Sequence, residues 1–75
     1  MKQKRSLSLH GHATSVALEP VLWEVIDEVA AREDRSIAGL IQQIDDERTD
    51  GTLDMGLASY LRVWCMHELR SRVPA

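Results

Sequence analysis

Two short pairs of possible metal ligands stand out in this chain, His10-Gly11-His12 and Cys65-Met66-His67. Imidazole and thiolate suit zinc or nickel, and a dimer could bring such pairs together into a four-ligand shell. The bland reading is stronger. Residues two apart on a helix point away from each other, so Cys65 and His67 do not share a face, and Cys65 falls on an apolar stripe. The set His10, His12, Cys65 and His67 is therefore a weak metal candidate, and no cofactor is expected. The acid-rich run 45–50 lacks the spaced ligand pattern of a calcium loop. The chain also has no Gly-x-Ser-x-Gly, no phosphate-cradling glycine loop and no His-Glu-x-x-His. It is not read as an enzyme.

The remaining chemistry is charge. Lys2, Lys4 and Arg5 stand in the first 18 residues without one acid, whereas positions 19–50 hold ten acids against Arg32, Arg35 and Arg48. The net charge of −3 hides that division. A nucleic-acid partner would meet the N-terminal side, with the acidic helices turned away from phosphate.

At 75 residues, with 44% hydrophobic and 28% charged content, the chain reads as one small folded domain that gains from self-association. No apolar run approaches the roughly 20 residues that span a bilayer. The basic start has no apolar segment after it to make a signal peptide. One cysteine, Cys65, suits a reducing compartment. A cytoplasmic location follows.

Thr14-Ser-Val-Ala-Leu18 alternates as a strand, with Thr14, Val16 and Leu18 on one face and Ala13, Ser15 and Ala17 on the other. Ser6–His10 is extended, but its apolar Leu7 and Leu9 are odd-numbered while Val16 and Leu18 are even, so the faces do not line up without a shift. Gly11 offers a bulge or bend between them. A lone strand at 14–18 leaves unpaired backbone groups, and the expected partner is the same strand of a second copy. Glu19-Pro20 opens a helix over about 20–33, with Leu22, Val25, Ile26, Val29 and Ala30 inward and Trp23 at the edge of the core. Asp34 tolerates a left-handed turn. Ser36 caps a helix over about 37–47 carrying Ile37, Leu40, Ile41 and Ile44, within which Gly39 permits close packing. A charged connector, 45–51, leads to a third helix over about 55–71, capped by Thr52 or Asp54.

Val16-x-Leu18-Glu-Pro-x-x-Trp23, Ile26-x-x-Val29-Ala30 and Arg35-Ser36-Ile37-x-x-Leu40-Ile41 resemble the ribbon-helix-helix pattern of Arc- and methionine-repressor-like proteins. The wider run from Arg5 to Pro20, with Leu57-Ala-Ser-x-Leu61-Arg62, is similar to short bacterial members that carry a third helix. The resemblance implies a mainly α fold with one short N-terminal strand, two helices and an added C-terminal helix. Two chains would intertwine around a two-stranded antiparallel ribbon, with a dimer core of Val16, Leu18, Leu22, Ile26, Val29, Ile37, Leu40, Ile41 and Ile44. It divides the chain into a basic arm and strand lead-in (1–13), a core (14–48) and a connector with the last helix (49–75).

By position, the resemblance implies that Ala13, Ser15 and Ala17 face bases in the DNA major groove and that Ser36, Ile37 and Ala38 hold a phosphate. Alanine offers a base only its methyl group, so affinity leans on phosphate contacts from Lys2, Lys4, Arg5 and His12. The reading is a homodimeric DNA-binding regulator, a repressor or an antitoxin-like autoregulator. The alternative is an adaptor that lost base reading and binds a protein partner, or forms tetramers, through Leu57, Leu61, Trp64 and Leu69.

Overall fold

The computed structural model describes residues 1–51 and 55–73. Two strands, β1 (Gln3–Leu9) and β2 (His12–Leu18), precede three helices, α1 (Pro20–Arg32), α2 (Ile37–Asp50) and α3 (Leu57–Ser71). The strands pair antiparallel within one chain, from Gln3 opposite Leu18 to Leu9 opposite His12. The strand at 14–18 is thus not alone: its partner is the N-terminal segment, which corrects the argument that the ribbon needs a second chain. Strand β2 also begins two residues earlier than its alternation suggested.

A two-residue turn makes the pairing possible. His10 and Gly11 have φ of 53° and 78°, the positive values that a type I′ hairpin turn needs at both positions. Gly11 therefore makes a tight turn rather than a bulge. Such a turn pairs odd-numbered residues of β1 with even-numbered residues of β2. Directly opposed residues share a face, so Leu7 and Leu9 join Val16 and Leu18 on one side. The odd–even mismatch in the sequence is the register itself.

That inner face rests on the helices, β1 against α2 and β2 against α3. Leu9, Val16, Leu18, Val25, Ile26, Val29, Ala30, Leu40, Ile41, Ile44, Leu61 and Cys65 form one core with Trp23. Leu22 and Ile37, expected within the dimer core, are half-buried against this one. Trp23 is more central than its place beside the α1 stripe suggested: it is 1% exposed, and its Nε1 donates to the Gln3 carbonyl at 2.8 Å. That bond gives the buried indole its partner and ties α1 to the start of β1.

The helix starts follow local chemistry. Pro20 occupies the first turn of α1 after an extended Glu19, where its missing N–H costs nothing. Asp34 takes φ 53° between α1 and α2. Ser36 Oγ accepts from the Gly39 N–H at 3.0 Å, a side-chain cap worth about 1 kcal/mol. A Cβ on Gly39 would lie 3.0 Å from that oxygen, so the close packing there is with the cap. Helix α2 runs on to Asp50, so most of the expected connector is helical. Arg48 bonds Asp45 at 2.9 Å and reaches the Met55 carbonyl at 2.9 Å, tying the end of α2 to the approach of α3. Gly56 stands at the start of α3 without a side-chain cap; Thr52 and Asp54 lie outside the described residues.

Candidate nucleic-acid interface

With the inner face of the hairpin on the helices, its outer face is built from the cross-strand pairs Lys4–Ala17, Ser6–Ser15 and Ser8–Ala13. All six side chains are exposed except Ala17, which is half-buried. The expected base-facing residues Ala13, Ser15 and Ala17 therefore share one row, as their alternation required. The reading from sequence missed the second row, Lys4, Ser6 and Ser8, because it gave 14–18 no partner in the same chain. This face bears no carboxylate, in a chain with 12 acidic residues.

The cations sort themselves between faces. Lys4 belongs to the outer row, while Arg5 points inward. Its guanidinium makes two bonds to the Asp27 carboxylate, at 2.8 and 3.1 Å, and lies 4.5 Å from the centre of the Trp23 ring. The hydrogen bond to Asp27 holds the Arg5 pKa above its ordinary value against the opposing cost of burial. Arg5 fastens β1 to α1, so it leaves the set of candidate phosphate ligands. Arg32, Arg35, Arg48, Arg62 and Arg72 are likewise paired, with Glu68, Glu33, Asp45, Glu19 and Glu28. Among the described residues, only Lys2, Lys4 and Arg70 have no acid within ion-pair distance, and two of these stand at the ribbon.

The expected residues at the hairpin tip are placed differently. His10 Nε2 is 3.0 Å from Asp46 and 3.7 Å from Asp45, and the His10 N–H donates to Gln42 at 3.1 Å. His12 is exposed at the closing pair, in register with the inward row. At the start of α2, Ser36 is exposed and Ile37 and Ala38 are half-buried. The cap uses the Gly39 N–H, leaving those of Ile37 and Ala38 in the unpaired first turn.

The metal candidates do not converge. Among the described residues, no three His, Cys, Asp or Glu side chains are grouped to hold an ion. Cys65 is buried, with Sγ 3.7 Å from the Leu22 carbonyl, and burial pushes its thiol up to about 11.

The apolar face expected on α3 is rotated. Leu61 is 0% exposed and belongs to the core, while Leu57 and Trp64 pack against it. Leu69 remains exposed. The open apolar surface runs instead through Tyr60, Val63, Trp64 and His67, which line a shallow groove of about 190 Å³. Met66 stands 65% exposed beside it. No helix among the described residues is long and apolar enough to cross a membrane.

The family model described as "Ribbon-helix-helix domain" matches residues 2–69. A solved structure, an uncharacterized protein from Bordetella pertussis Tohama I, is similar with a TM-score of 0.78 and 38% identity, covering 100% of this chain. This chain spans 64% of that protein's length. Comparison with curated proteins gives no match.

Proposed function

The chain belongs to the ribbon-helix-helix domain family, a family of DNA-binding regulators in general, and we propose that it is itself a DNA-binding transcriptional regulator. It would act as a repressor or an antitoxin-like autoregulator that inserts its ribbon into the major groove. The observation that carries this reading is the outer face of the β1–β2 hairpin, uncovered by any helix, free of acids and marked by the unpaired Lys4. The major groove admits a two-stranded ribbon, and one chain already supplies one. Lys2 adds charge at the strand's start, and the N–H groups of Ile37 and Ala38 offer a phosphate contact. Members of the family generally form dimers, and two copies, each with its own hairpin, are the proposed working unit.

The test is fluorescence anisotropy with duplex DNA at two salt concentrations. Binding should weaken with salt at a slope of about 0.9 per phosphate neutralised. A folded protein that binds no duplex at low salt would remove this reading.

A second reading, a protein-interaction adaptor, is favoured by the exposed Val63 and Met66 beside the Tyr60–Trp64 groove. Val63→Asp should then abolish binding of a protein partner while leaving the dimer and its DNA affinity unchanged.

A further inference from the structure

The hairpin register brings a second row of side chains to the face proposed to meet DNA. Resting on that DNA-binding reading, we propose that the ribbon reads sequence with both rows. Lys4 selects a guanine, and Ala13 and Ala17 seat against thymine methyl groups.

The chemistry of the six side chains narrows what they can recognise. Lys4 is the single charged group on the face, directly opposite Ala17. An ammonium finds its complement in the paired O6 and N7 acceptors of guanine, whereas adenine sets a donor beside its N7. The face has no Asn or Gln to read adenine and no carboxylate to accept from cytosine N4. Alanine makes only apolar contact, and thymine is the base that presents a methyl group to the major groove. Ser6, Ser8 and Ser15 can donate or accept and so tolerate any base between. Arg5, the one other long cation in the strand, is held inward by Asp27 and cannot compete with Lys4 for the guanine.

Spacing fixes the pattern. Strand residues advance about 3.4 Å each, so Ala13 and Ala17 stand roughly 14 Å apart along the ribbon. Base pairs rise about 3.4 Å along the helix axis, and the tilted groove lengthens the path to roughly 4.5 Å per step at the depth of the base edges. With the ribbon lying along the groove, the two methyl contacts fall about three base steps apart, with the guanine beside the Ala17 position.

The experiment selects duplexes from a randomised pool with the purified protein at low salt, then resynthesises the winner with single-atom-group changes. Deoxyuridine in place of thymidine removes only the 5-methyl group, and 7-deazaguanine removes only N7. Each methyl removed should weaken binding about fourfold, and loss of N7 should weaken it roughly fivefold. Lys4→Ala should keep its circular dichroism spectrum and melting temperature, retain the methyl effect and lose the N7 effect. The inference is overturned if binding persists without sequence preference. It is equally overturned if the methyl and N7 changes leave affinity unmoved, or if the N7 effect survives in Lys4→Ala. Failure to bind any duplex overturns the DNA-binding reading itself, a result distinct from binding without preference.

Discussion

Neighbouring cations on β1 should have unrelated jobs, and replacing each alone tests the register. Arg5→Ala removes a two-bond ion pair whose side chains are 31% and 42% exposed. Solvent at that exposure limits the pair to about 0.5–1 kcal/mol. The guanidinium 4.5 Å from the Trp23 ring centre adds about 0.5–1 kcal/mol. The expected loss is about 1–2 kcal/mol, a lowering of the urea midpoint by about 1 M or slightly more for a domain of this size. Lys4→Ala, on the opposite face, should stay within about 0.5 kcal/mol of the parent. Urea titration followed by circular dichroism at one protein concentration measures both. A cycle with Asp27→Ala isolates the ion pair, with an expected coupling of about 0.5–1 kcal/mol. Equal destabilisation by the two substitutions would refute the register. So would an Arg5→Ala variant of unchanged stability whose DNA binding had lost salt dependence, since Arg5 would then face phosphate.

Gly11→Ala puts a side chain at φ 78°, with open space around it, so the cost is backbone strain of about 1 kcal/mol; thermal unfolding should show a melting temperature lower by several degrees. The Glu19 carboxyl is held below its ordinary 4.5, first by its own backbone N–H and then by Arg62. Because the folded value is the lower one, its contribution is full above the unfolded value and is lost as pH falls through the folded one. Melting temperatures of the Glu19→Gln variant should therefore fall less steeply below about pH 4.5; parallel curves would contradict this. With its thiol pushed up to about 11, Cys65 should react with maleimide at pH 8 at least about 100-fold more slowly in the native protein than in urea.

Much of the scaffold was legible because each signal was local. Glu19-Pro20 and Ser36 announce helix starts by chemistry confined to one turn, and Ile37, Leu40, Ile41 and Ile44 repeat at helical spacing. The hairpin was harder. Leu7 and Leu9 against Val16 and Leu18 looked like a conflict of faces, yet a two-residue turn demands that parity. The place of Arg5 is hidden in the sequence for a related reason: its partners, Asp27 and the Trp23 ring, are distant along the chain and become adjacent only once β1 folds back. On α3, a broad apolar pattern mixed Leu61 and Cys65, which the chain consumes itself, with Trp64 and Leu69 at the margin. Val63 and Met66 fall outside that pattern and are not legible in sequence, because exposed apolar residues carry no periodic signature of their own. The outer-face row Ala13, Ser15 and Ala17 could be read from alternation, whereas its companion row depended on pairing.

A ribbon made from two different strands has no axis relating one edge to the other. Lys4 and Ala17 mark one end of the face; Ser8, Ala13 and the His10-Gly11 turn mark the other. A ribbon of two identical strands would read the same forwards and backwards and would ask for a palindrome. If it meets DNA as proposed, this hairpin gives each copy's half-site a direction, and a pair of copies fits repeats in tandem as readily as inverted ones. How the second copy is attached, rather than the ribbon, would then decide the orientation of the sites.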